Sequence, residues 1–393
     1  MSLRFGKPMV SIPGPSTIPD RVLNAMHRPM PNIYEGELVD IAYELHERLP
    51  AIARTEGRVF ITIGNGHAGW QMAINNTLSR GDHVLVLESG RFAQAWGEMA
   101  TLSGVKAEFM EGSMRGPVDI AAFADRIDAD IDRSIKAVMV VLTDTATSVM
   151  NDIESLGRVL NDADHPALFM VDAIASLGCD VFEMDRWGVD VTVAASQKGL
   201  MVPPGIAFCW VSPKALDAYA TADLRTGYFD WAPRMKPKAM YELFAGTPPI
   251  QHLYGLREAL DMIDEEGGLD VVWARHAALA DSVRAAVAAW STDGGIAFNI
   301  TDPDARSNAV TTALTGSIDP NELRARAEAG AGLTLGLGIG GMADAIRIGH
   351  MGHLNPPHIL GTLGTVEAAL RAMGAPLGGS GAEAAARSIG GHL

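Results

Sequence analysis

Cysteine is scarce in this chain: Cys179 and Cys209 are the only two in 393 residues. Both sit in apolar surroundings. That points away from a disulfide framework and toward a reducing, cytoplasmic compartment. Positive charge is also short, with 31 Lys and Arg against 47 Asp and Glu, a net charge of −16. The imbalance argues against nucleic acid and anionic membrane as partners. It leaves a small anionic substrate open, because one local Arg or Lys overrules the global field. No window reaches the roughly 18 apolar residues of a membrane helix. The N-terminus lacks the apolar stretch of a secretion signal. No internal repeat, no coiled-coil heptad and no metal-ligand spacing is present. Charged residues make up only 20% and hydrophobic residues 48%, so a folded core is expected rather than disorder.

The apolar residues come as short runs between helical patterns. Strands are predicted over 58–63, 84–87, 137–142, 167–171, 191–195 and 206–211. Helices are predicted over 68–78, 92–102 and 153–160. The runs do not alternate, as befits strands covered on both faces. Strand–helix–strand order at this spacing gives an α/β fold: a large domain with a mostly parallel sheet and helices on both faces. After Gly246-Thr-Pro-Pro249 the texture changes. A long helical stretch over 253–290, bent at Glu266-Gly-Gly268, precedes short strands at 309–313 and 345–348 and a last helix over 357–373. This is a smaller C-terminal α+β domain. The expected division is an arm (1–20), a large domain (21–255) and a small domain (256–393). Prolines through 13–19 predict an irregular arm. The Gly378-Gly-Ser-Gly tail is expected to be poorly ordered at its end.

Lys198 is the most informative residue. It follows the run Val191-Thr-Val-Ala-Ala195 by three positions, at the carboxyl end of a strand, where parallel sheets place their chemistry. A desolvated lysine has a lowered pKa and attacks carbonyl carbons. Alone, the residue reads more readily as a lysine turning out to solvent. Asp172 ends another strand, 26 residues earlier. A buried aspartate needs a cation, and a protonated pyridine nitrogen would serve; a helix cap at Ala173 is the plainer alternative. Gly64-Asn-Gly-His67 joins a strand to a helix, where backbone N–H groups and the helix dipole favour a phosphate. It also reads as an ordinary connection. Gly336-Leu-Gly-Ile-Gly-Gly341 has dinucleotide-fingerprint spacing, but a strand follows instead of a helix, so that reading is rejected. Arg347 lies in the predicted apolar strand. It calls for a bidentate carboxylate from a ligand or from the protein itself.

As a set, these residues resemble the class V, fold-type I pyridoxal-phosphate aminotransferases, in the alanine–glyoxylate and serine–glyoxylate branch. The specific pieces are Val171-Asp172, Ser196-Gln-Lys-Gly with Pro203-Pro-Gly205, Thr247-Pro-Pro249, and Arg347-Ile-Gly-His-Met-Gly352. The resemblance runs from Gly14-Pro15 to the last helix. It implies that Lys198 holds pyridoxal 5′-phosphate as a Schiff base and that Asp172 pairs with the pyridine nitrogen. Phe92 would stack on the ring. Gly66, His67, Thr145 and Gln197 would contact the cofactor. Thr247 would reach its phosphate from a second subunit, implying a homodimer with shared sites. Arg347 would clamp the substrate carboxylate, with Gly14 and Tyr34 on the substrate side. Three positions depart from the family pattern. Phe244 replaces a common tyrosine, Pro31-Asn-Ile-Tyr34 replaces a His-Arg-Ser type of segment, and Ser148 replaces a glycine.

The implied reaction is ping-pong transfer of an amino group from alanine, serine or aspartate to glyoxylate or pyruvate. The alternatives are a lyase on the same cofactor, which needs a mobile nucleophilic cysteine, or transamination of a rarer amine such as ureidoglycine or aminoethylphosphonate.

Overall fold

The structure is a computed structural model that describes residues 3–393. Strand β1 (Met9–Ser11) belongs to a small sheet. Strands β2 (Arg58–Gly64), β3 (His83–Leu87), β4 (Lys106–Met110) and β5 (Ile135–Val141) enter a large one. β6 (Thr143–Asp144) and β7 (Val149–Met150) form a short ladder of their own. β8 (Leu168–Asp172), β9 (Val191–Ala195) and β10 (Gly205–Val211) complete the large sheet. β11 (Ala297–Phe298), β12 (Val310–Leu314), β13 (Leu333–Leu337) and β14 (Ala345–Gly349) join β1.

The large sheet has the order β2-β10-β9-β8-β5-β3-β4. Only β10 runs against its neighbours, pairing Phe208 with Ile61 on one side and Ala194 on the other. The sheet is therefore mostly parallel, as the uninterrupted apolar runs require. Phe169 and Val171 of β8 enter one hydrophobic layer, with Leu38, Ile41 and Leu253. Leu168 and Met170 enter the opposite layer, with Trp70 and Trp96. Helices Glu37–Ile52 and Ile250–Glu266 cover the first face; Gly66–Thr77 and Arg91–Leu102 cover the second. This arrangement brings the carboxyl ends of β2, β5, β8 and β9 to one edge, where an α/β sheet builds its crevice.

The small sheet has the order β1-β13-β14-β12-β11. Its core runs from Leu279 through Ile389. The expected boundary at 255/256 falls inside the helix Ile250–Glu266, and apolar residues as far as Trp273 pack into the first core. The long helical stretch does break where glycines allow it: Gly267 and Gly268 take φ of 116° and 86° between Ile250–Glu266 and Leu269–Trp290.

Two expectations fail. The arm is not irregular throughout, since Met9 and Val10 pair in parallel with Leu333 and Thr334 ahead of the proline run. The tail is not loose either. A helix, Gly381–Gly390, starts on the Ser380 cap and buries Ala385 and Ile389. Ser380 followed by Glu383 is a helix-start signature that outweighs the neighbouring glycines. No helix among the described residues is long and apolar enough to cross a membrane.

Candidate active site

A cavity of about 190 Å³ opens at the converging strand ends. Asn65, Gly66, His67, Trp70, Phe92, Thr145, Asp172, Gln197 and Lys198 line it, together with Val141, Thr143, Ile174 and Ala175. Seven of these were expected from the sequence. Gly14 joins them by contact: a Cβ there would lie 2.3 Å from Lys198 Nζ, and its φ of 93° already favours glycine.

The lysine is enclosed rather than solvent-bound. Its Nζ donates to the Pro13 carbonyl. Burial, with the Arg347 charge adding to it and Asp172 only partly offsetting both, lowers its pKa from 10.5 to about 8. Asp172 is fully enclosed at the end of β8. Its Oδ2 accepts from Trp70 Nε1 at 2.8 Å, and its Oδ1 from the Ile174 N–H at 2.6 Å. Burial nonetheless pushes its pKa up to about 7. No helix starts at Ala173; one Asp172 oxygen instead caps a turn there, and the carboxylate also lines the cavity.

Arg347, in β14, is buried beside the cavity. Nε donates to the Leu337 carbonyl at 2.7 Å and Nη1 to the Thr145 carbonyl at 2.8 Å. Neither partner is charged, and no ion pair to Arg347 occurs among the described residues. The internal salt bridge is therefore excluded. Desolvation holds its pKa down at about 10. His67 is at the helix start and leans on Trp70, with ring centroids 4.5 Å apart. Asn65 caps the same helix by accepting from the His67 N–H.

Two expected residues stay outside the cavity of their own chain. Thr247 is exposed on the turn before the helix Ile250–Glu266. Tyr34 is 76% exposed, its ring edge-on to Tyr241. Phe244 is packed in the main core against His46, so its ring reaches no ligand. Ser148 now has an explanation. It takes φ 65°, the left-handed conformation that favours glycine, and its Oγ accepts from the Thr312 N–H at 3.1 Å. Sequence reading missed Trp70 and Asp144. Trp70 lies one helical turn beyond Gly66, a spacing that could have found it.

The Aminotransferase class-V family matches residues 15–335. The chain belongs to the class V aminotransferases. It is 38% identical over 385 residues to a serine–glyoxylate aminotransferase of Hyphomicrobium methylovorum, covering 96% of this chain and 94% of that one. It is 36% identical over 383 residues to an L-aspartate–glyoxylate aminotransferase of Paracoccus denitrificans, covering 96% and 94%. The crystal structure of a ureidoglycine–glyoxylate aminotransferase from Bacillus subtilis superposes with a TM-score of 0.89 at 25% identity, covering 98% of each chain.

This aminotransferase is a pyridoxal-phosphate-dependent transaminase of fold type I. Its own residues fit that cofactor on three observations. Gln197 Oε1 is buried beside the cavity with no hydrogen-bond partner. Asp172 faces the cavity without a cation in contact, a cost that a ring N–H⁺ would relieve. The helix start at Asn65–His67 opens where an anion would sit.

Proposed function

We propose that this aminotransferase moves the amino group of alanine, serine or aspartate to glyoxylate, with pyruvate as second acceptor, in ping-pong order. The observation that carries this reading is Arg347: a buried guanidinium with no charged partner, beside a cavity that holds a low-pKa lysine. The three similar proteins named above differ in the donor and share glyoxylate as acceptor.

Pyridoxal phosphate, when bound, supplies the electron sink for the substrate α-carbon. Lys198 is its anchor and the group that takes and returns the α-proton. Asp172 would face the ring nitrogen, Phe92 would wall one ring face, and Gly66, His67, Thr145 and Gln197 would hold its polar rim. Arg347 orients the substrate carboxylate, with Gly14 and Tyr34 flanking that side. Thr247 of the partner subunit completes the phosphate site. A homodimer is supported by apolar side chains left exposed near this region: Met30, Tyr34, Ile63 and Tyr228. The working division is the arm (1–20), the cofactor-binding body (21–255) and the smaller body (256–393). A reducing, cytoplasmic setting is supported by two free, buried thiols.

The same thiols argue against a lyase that uses a cysteine nucleophile. Burial pushes Cys179 up to about 12 and Cys209 higher still. A thiol in that state yields almost no thiolate.

The test is a panel of alanine, serine, aspartate and ureidoglycine against glyoxylate and pyruvate, read by the spectral change of the cofactor and by product. Transfer to glyoxylate from at least one of the first three is expected. No transfer from any of them refutes the reading. Arg347→Ala should raise KM for both the amino acid and the oxo acid, on the order of 10- to 100-fold, because two hydrogen bonds to a charged group are lost. An unchanged KM for either substrate removes Arg347 from the carboxylate site.

A further inference from the structure

The turn at 144–148, joining β6 to β7, spans the gap between the two sheets. Four successive residues bond across to the small sheet and its flanks. The Thr145 carbonyl accepts from Arg347 Nη1 at 2.8 Å, and the Ala146 carbonyl from Thr312 Oγ1 at 3.2 Å. The Thr147 carbonyl accepts from Asn299 Nδ2 at 3.0 Å, and Ser148 Oγ from the Thr312 N–H at 3.1 Å. Thr312 is the residue of β12 that lies in register with Arg347. The turn therefore sets the height and angle of the Arg347 strand.

Asp144 anchors the near end of this turn. Its carboxylate is fully buried. Oδ2 accepts from the Phe92 N–H at 2.7 Å, and Oδ1 from the Ala146 N–H at 2.9 Å. The helix Arg91–Leu102 begins after Gly90, which has no side chain to cap it. Asp144 supplies that cap from another strand. Space there is tight: a Cβ on Gly90 would fall 2.3 Å from Asp144 Cγ. Asp144 makes no direct ion pair with Arg347, although its charge acts on the guanidinium at longer range.

We propose that Asp144 is a positioning residue for the substrate carboxylate: it pins the turn that seats Arg347 to the helix start that carries Phe92. The inference rests on the reading of Arg347 given above and deepens it. A carboxylate suits the task because it accepts two N–H groups in fixed directions, and charged acceptors hold them most firmly. A loosened turn would let the Thr145 carbonyl, and Arg347 with it, drift out of line with the cofactor wall.

The test compares wild type, Asp144→Asn, Gly90→Ala and Arg347→Ala. Asp144→Asn keeps the shape and turns an amide N–H₂ against one of the two donors. Gly90→Ala leaves Asp144 charged and displaces it sterically. Two readouts are taken: Kd for propionate, a non-reacting carboxylate, by thermal shift, and KM for the amino acid and glyoxylate. Asp144→Asn and Gly90→Ala should each raise both constants about tenfold, while Arg347→Ala removes propionate binding. A folded variant that melts lower with both constants unchanged overturns the proposal. If Asp144→Asn does not fold, Gly90→Ala alone decides it. If wild type binds propionate but transfers no amino group, the proposed function falls while the propionate series still reports on Asp144.

Discussion

Lys198→Ala should leave a folded protein without turnover. The expected fall in kcat is at least on the order of a thousandfold, because proton transfer alone contributes about 10²–10⁴ and the covalent anchor is lost with it. The visible absorption that develops when pyridoxal phosphate is added to wild type should be missing. The reason lies in the amine's surroundings. A free lysine at pH 7 is unprotonated in roughly three molecules in ten thousand; at a pKa of about 8 the share is about a tenth. Enclosure of Lys198 against Pro13 and Gly14 therefore supplies a nucleophile and base near neutrality. The same argument fixes the pH dependence. Because only the amine reacts, the rate of cofactor loading should climb as pH rises toward and through about 8, then level off. A loading rate that is flat over that range, or wild-type turnover by the alanine variant, would show that another group does this work.

What was legible in the sequence was whatever burial on two faces writes into a run of residues. β9 reads correctly because Val193 packs into one layer and Ala194 into the other, and its one polar residue, Thr192, is buried and β-branched. Lys198 and Asp172 stood out because they end such runs. Arg347 stood out because it interrupts such a run in the middle of β14. Its partners did not, since the carbonyls of Leu337 and Thr145 belong to the backbone and carry no residue signature. Asp144 was hidden by distance. Its cap on Phe92 joins two segments that read as independent, and an aspartate after a strand looks like any turn residue. β1 was hidden likewise: three residues, Met9–Ser11, acquire a ladder only when Leu333–Leu337 arrives from the far end of the chain. Thr247 and Tyr34 show a different limit. Each is placed by its own chain at an exposed position, and their proposed work depends on a second copy.

Asp172→Asn should separate stability from catalysis. At an effective dielectric near 20, a carboxylate in contact with a ring N–H⁺ gains about 4 kcal/mol before desolvation. Losing half of that at the transition state lowers kcat on the order of 30-fold, and losing all of it on the order of a thousandfold. The Trp70 and Ile174 donors now face one oxygen and one N–H₂, so cofactor affinity should fall as well. The cofactor-free protein should respond in its pH profile. An aspartate whose folded pKa is about 7 against an ordinary 3.8 holds its proton more tightly when folded. Its charge therefore destabilises the fold progressively as pH rises from about 4 to 7, and fully above that. Melting of the cofactor-free wild type should thus drop across this range, and the asparagine variant, with nothing to titrate there, should drop less. Added pyridoxal phosphate should flatten the wild-type slope, because the ring cation stabilises the charged carboxylate. Near-normal kcat together with matching pH slopes for the two proteins would return Asp172 to a structural role, holding the Ile174 and Trp70 N–H groups.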